Sequence, residues 1–205
     1  LKPIEDVVYD FRKELAHTQL PDNDFEFQLK KGSDALQSFL SSSSTLFGEN
    51  DIVERDLRPL ELVVETARIT GILDCMRVDH TEKTIDIIDY KTGKPSSSWR
   101  GKDDWEKIKL HKYRQQLLFY KLLVESIPEF RVYSVRSAKL HFVEPDKEGI
   151  IHNLEIDWDD VEMNRFKKLI RVIWQHIMAA DFVDTGQYDQ SYKGILAFEK
   201  DLLNE

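Results

Sequence analysis

One cysteine, Cys75, stands in a chain of 205 residues. Alone it can close no internal disulfide, and it excludes a four-cysteine metal site built by this chain. The expected setting is therefore reducing and cytoplasmic. Long apolar runs are also missing. None approaches the ~20 residues of a membrane-spanning helix, so no membrane is expected among the partners. There is no signal peptide, and the first residue is Leu1 rather than Met, so a piece of a larger protein is expected. Positive charge is in deficit. A formal net charge of −9 argues against a surface that coats nucleic acid indiscriminately. Internal repeats are absent. With 41% hydrophobic and 33% charged residues, one globular domain with a substantial core is expected over residues 1–205.

Acidic residues stand where strands should carry core side chains. The segment Ile85-Asp86-Ile87-Ile88-Asp89-Tyr90-Lys91 reads as a β-strand. Alternate side chains share a face, which groups Ile85, Ile87, Asp89 and Lys91. The preceding segment groups Ile72, Asp74, Met76 and Val78 in the same way, and Asp74 interrupts an apolar row. Cys75 points to the other face and reads as a small core residue. If His80-Thr81-Glu82-Lys83 is a four-residue hairpin loop, Asp79 pairs with Thr84 and Asp74 lies opposite Asp89. Opposed Cβ atoms are ~5 Å apart, and two carboxylates so placed repel unless a cation intervenes. A hard divalent ion with oxygen ligands suits such a pair. Lys91 would lie ~7 Å further along the same face. A solvated surface salt-bridge cluster is the alternative, and the apolar company on both strands weighs against it.

Three blocks in order carry a resemblance: Gly71-Ile72-Leu73-Asp74, then Ile88-Asp89-Tyr90-Lys91-Thr92-Gly93-Lys94, then Gln116-Leu117-Leu118-Phe119-Tyr120. The pattern G-I-x-D, D-Y-K-T-G, Q-x-x-x-Y resembles the RecB-like branch of the PD-(D/E)XK nucleases over residues 59–125, and more loosely to about 145. The segment 194–203 is similar to the tail of UvrD-type helicases that carry such a nuclease domain. The resemblance implies an α/β (α+β) fold with a restriction-endonuclease-like core, a central mixed β-sheet flanked by helices. It implies metal-dependent hydrolysis of DNA, of exonuclease type, in repair or recombination beside helicase motor domains of the same or a partner chain, in a bacterial cytosol. Asp74, Asp89 and the Tyr90 carbonyl would hold one or two Mg²⁺ or Mn²⁺ ions. Lys91, Gln116 and Tyr120 would complete the catalytic set, Tyr120 having a plain core aromatic as its alternative. The iron–sulfur cluster of some relatives needs four cysteines and is not expected. One departure stands out: many relatives carry a histidine shortly after a glycine in an early helix, whereas Gly32 is followed by Ser33-Asp34-Ala35-Leu36. Asp34 is a possible substitute, and Glu61 or Glu65 a further acidic candidate. An inactive RecB-like module that grips DNA or braces a helicase is the rival reading.

The one basic stretch begins at this site. Lys94, Arg100, Lys102, Lys109, Lys112 and Arg114, with Trp99, are the candidate DNA contacts. Trp99 and Trp105 offer faces on which bases could stack; the alternative is a solvated loop with Trp105 in the core. The remaining chain is expected as helices over Ile4–Leu15, Phe25–Leu40, Trp105–Ser126 and Asp157–Ala180. Strands are expected over Leu57–Glu65, Val132–Val143 and Ile150–Ile156, with breaks at Pro21–Asp24 and Ser41–Ser44.

Overall fold

The computed structural model describes residues 2–42 and 47–204. Two helices open the chain, α1 (Ile4–Ala16) and α2 (Asp22–Ser42). The second begins three residues before the expected Phe25. Asp22 and Asp24 occupy its first turn, where negative charge meets the unpaired N–H groups of a helix start. Ser41 and Ser42 close α2 rather than opening a loop, while Ser43 and Ser44 lie outside the described residues.

The sheet follows. Strand β1 (Asp51–Asp56) pairs antiparallel with β4 (Ile72–Asp79), which forms a hairpin with β5 (Thr84–Lys91). Asp79 faces Thr84 across the turn, and the register runs on through Cys75 and Ile88, as the loop length predicts. Helix α3 (Asp104–Glu125) carries the chain over to β6 (Ser134–Phe142), which lies parallel to β5. A three-residue β7 (Asn153–Glu155) closes the order β1-β4-β5-β6-β7. Antiparallel pairs flanking one parallel pair make a mixed sheet. The five strands with the flanking helices give the expected α+β, restriction-endonuclease-like architecture.

The strand expected over Leu57–Glu65 is not there. The chain there forms a 3₁₀ turn at Arg58–Leu60 and then β2 (Val63–Val64), which makes a small hairpin with β3 (Ala67–Arg68) just beyond. Pro59 has no N–H to give a ladder, and Glu61 takes a left-handed φ of 46°. Leu57, Leu62 and Val64 are buried nonetheless, plugging the core from irregular backbone. The strand partnering β4 is instead Asp51–Asp56, whose charged sequence hides it from an alternation argument.

Helix α3 covers one sheet face and supplies Leu110, Leu117, Leu118, Leu122 and Leu123 to the core. Against the opposite face lies α2, where Phe39 packs edge-on against Tyr90 and His141. Gly71 runs so close under α3 that a Cβ there would stand 3.0 Å from Leu123 Cδ1, so the glycine lets the start of β4 approach the helix. Helices α4 (Asp160–Ala179) and α5 (Tyr192–Leu203) pack outside α3. Buried Glu199 of α5 binds His111 Nε2 at 2.7 Å and accepts from Gln115 Nε2 at 2.7 Å. Among the described residues, no helix is long and apolar enough to cross a membrane.

Candidate active site

Strand alternation and one helix face bring the predicted residues together. Asp89 and Lys91 leave β5 on the side covered by α3, and their groups meet at 2.6 Å between Lys91 Nζ and Asp89 Oδ2. Lys91 Nζ also donates to Gln116 Oε1 at 2.8 Å. The amide of Gln116 then donates to Asp89 Oδ1 at 3.1 Å and to the Tyr120 hydroxyl at 2.8 Å. A buried amide needs partners for both ends, and these contacts fix which end faces the lysine. Asp74 arrives from β4, where its Oδ2 accepts the Tyr90 N–H at 2.9 Å. Asp74, Asp89, Lys91, Gln116 and Tyr120 are thus one connected cluster, with the Tyr90 backbone inside it. The Tyr120 ring is buried in the core, and its hydroxyl accepts the Gln116 amide at the cluster.

Asp89 is only 2% exposed. Burial pushes its carboxyl above the ordinary range; Lys91 offsets this in part and the neighbouring Asp74 charge adds to it. The Lys91 ammonium is the ion-pair partner of Oδ2, and the Gln116 amide is the donor to Oδ1. The Asp74 charge beside Asp89 is unfavourable to it, and a hard cation with oxygen ligands is the kind of partner that relieves such a pair. The donor set of Asp74 and Asp89 therefore fits a divalent ion. It does not complete a shell: among the described residues no three His, Cys, Asp or Glu side chains gather into a metal-binding group.

Other acidic candidates are dispersed. Asp34 is exposed on α2, Glu61 is exposed after the 3₁₀ turn, and Glu65 pairs with Arg171 of α4 at 3.9 Å. The β1–β4 register brackets Asp74 with Glu54, an exposed residue with a left-handed φ of 49°. Sequence reasoning missed Glu54 because it placed the strand six residues too late. Sequence reasoning puts Tyr113 on the helix face of Gln116 and Tyr120 but gives it no role; its ring lies 4.6 Å from Lys91 Nζ, a cation–π distance. The signal was present: Tyr113 precedes Gln116 by three residues on one helix face.

The basic segment divides. Lys94, Arg100, Lys102 and Lys112 are exposed. Lys94, Arg100 and Lys102 line a cleft of about 510 Å³ with the turn after β6. Its loop is held by Glu106, which accepts the Ser96 hydroxyl and the Lys102 N–H. Lys109 leans to the Lys94 carbonyl at 3.2 Å. Arg114 is committed to the fold, donating twice to Glu162 at 2.6 and 2.7 Å and once to the Asp157 carbonyl. Trp99 gives its indole N–H to the Glu155 carbonyl at 2.7 Å and packs on the core. Trp105 is not in the core at all: it is 79% exposed in the first turn of α3.

A comparison with curated proteins gave no match. Residues 2–190 match the family model for the PD-(D/E)XK nuclease superfamily, whose nucleases generally use divalent metal ions. That match takes in nearly the whole chain and every member of the carboxylate–lysine cluster, so this protein belongs to the PD-(D/E)XK nuclease superfamily.

Proposed function

We propose that the chain is a Mg²⁺- or Mn²⁺-dependent deoxyribonuclease of the RecB-like branch, working as an exonuclease beside helicase motor domains in repair or recombination. The observation that supports the hydrolytic reading is the gathering of two carboxylates, Asp74 and Asp89, and the Lys91 ammonium in one partly buried cluster. Asp74, Asp89 and the Tyr90 carbonyl would hold the ion. When bound, it lowers the pKa of water and neutralises charge on the phosphoryl oxygens. The Tyr90 N–H holds the Asp74 carboxylate in place. The Lys91 ammonium stands ready to orient the attacking water or meet the negative charge that develops, and fixed charges of this kind typically contribute a few kcal/mol. Gln116 keeps that ammonium aimed, and the Tyr120 hydroxyl keeps the amide aimed. Contacts to DNA through Lys94, Arg100, Lys102 and Lys112 would be to phosphates, which position a strand without reading its sequence. The helicase association rests on the likeness of 194–203 to helicase tails.

The rival, a module that grips DNA without cutting it, is favoured by one observation: the acidic groups do not complete a metal shell among the described residues. A fluorescent-oligonucleotide cleavage assay with and without Mn²⁺ separates the two. The expected result is Mn²⁺-dependent cleavage by the wild type and none by Asp89→Ala or Lys91→Ala. Asp89→Ala should remain folded in a thermal melt, because losing a carboxylate that burial penalises and Asp74 repels offsets the loss of its contacts to Lys91 and Gln116. A wild type that binds but never cuts would establish the rival, and Lys91→Ala cutting at the wild-type rate would remove the lysine from the mechanism.

A further inference from the structure

One stripe of α3 leads from solvent to the carboxylate cluster. Trp105, Lys109, Lys112 and Gln116 follow one another at spacings of four, three and four residues, which places them on one helix face. At ~1.5 Å rise per residue the stripe is ~16 Å long. Its inner end is Gln116, in contact with Lys91 and Asp89. Its outer end is the 79%-exposed Trp105.

Singly exposed apolar residues are ordinary on protein surfaces. This one differs by its company. The neighbouring acids are used within the fold: the Asp103 side chain caps the Glu106 N–H at 2.8 Å, and Asp104 accepts the Tyr192 N–H at 2.7 Å. The helix start is thereby fixed, and the indole stands on a rigid base. Lys112 is exposed with no hydrogen-bond or ion-pair partner among the described residues. A flat aromatic, then cations, then the reactive cluster is the order in which a nucleic-acid strand would be met. Aromatic faces stack on unpaired bases of any sequence, while lysines hold the phosphates between them. Within a duplex, away from its two ends, each base is already stacked on both sides and offers no free face to a side chain on a helix.

We propose that Trp105 is a stacking platform for an unpaired base, with Lys112 and Lys109 holding adjacent phosphates, so that the strand delivered to the site is single. This rests on the nucleic-acid reading of the cluster. The test measures fluorescence anisotropy of a labelled single strand and of the blunt duplex of the same sequence, in Ca²⁺, with wild type, Trp105→Ala and Trp105→Phe. Thermal melts would check that all three fold. Trp105→Ala should weaken single-strand binding about tenfold and duplex binding by less than about twofold, and Trp105→Phe should recover most of the loss. Equal losses on both ligands, or no loss on the single strand, overturn the platform. Cleavage in Mn²⁺ is read separately. A wild type that cuts nothing yet keeps the Trp105-dependent single-strand preference overturns the hydrolase and leaves the platform standing. Single-strand and duplex cleavage at equal rates, both unmoved by Trp105→Ala, would do the reverse.

Discussion

At the scale of single residues, the two sides of one strand pair do opposite jobs. On the α3 side, Asp89 and Lys91 keep their charges close together. On the α2 side, one position away, Tyr90 and His141 stack at 6.0 Å between ring centroids beside Phe39. Burial, and then the charge of Lys139, lowers the His141 pKa to about 4. The unfolded chain takes up a proton near the ordinary 6.5, whereas the folded one resists until about 4, so His141 favours folding fully above the first value and progressively less down to the second. Urea unfolding between pH 7 and 4.5 should therefore show stability falling by up to a few kcal/mol more in wild type than in His141→Phe. Parallel pH profiles for the two proteins would remove His141 from the account. Asp74, Asp89, Lys91 and Gln116 were legible in the sequence because each is a polar residue on an otherwise apolar face. His141 was not, since a histidine between apolar neighbours announces neither burial nor neutrality.

Among the elements, those whose pattern matched their period were found close to their places: α1, β4, β5, α3, β6 and α4. Strand β1 was missed because Asp51, Glu54, Arg55 and Asp56 break any alternation, and its stability comes from partners outside the segment. Arg77 on β4 grips Asp51 with two hydrogen bonds, at 2.9 and 3.0 Å. Of the apolar residues that suggested a strand at 57–65, Leu57, Leu62 and Val64 are core residues while Leu60 and Val63 are exposed, so the burial signal was partly sound and the backbone form was misread. The last helix offers a test of how elements depend on one another. A Cβ on Gly194 would fall 1.9 Å from the Asp189 carbonyl oxygen, and backbone on both sides cannot give way cheaply. Gly194→Ala should shift the start of α5, loosen the Glu199 contacts to α3 and lower stability by about 1–3 kcal/mol. Thermal melts and amide hydrogen exchange would check this, with protection lost first in α5 and the outer face of α3. Protection in α5 equal to wild type would show that the helix start tolerates the methyl.

For the whole molecule, the excess of acid and the basic segment at the site make opposite demands on a polyanion. A net charge of −9 repels DNA at long range, while the proposed contacts Lys94, Arg100, Lys102 and Lys112 would act locally. Binding should therefore weaken steeply with salt, and reversing Arg100, Lys102 and Lys109 to Glu should lower affinity for all sequences alike. A salt titration of DNA binding in Ca²⁺, wild type against the triple reversal, checks this; coincident curves would place the DNA path elsewhere. The same sheet that holds the carboxylates also ends in a particular way. Its outer strands are β7, only three residues long, and β1, whose middle residue Glu54 turns left-handed and whose charges crowd the edge. Neither rim offers a long, flat row of free N–H and C=O groups, the template on which copies of a protein add strand to strand. A protein whose chemistry needs a concentrated, partly buried polar seam is thereby kept from recruiting its own copies into ordered aggregates, a hazard that a straighter β1 would have opened.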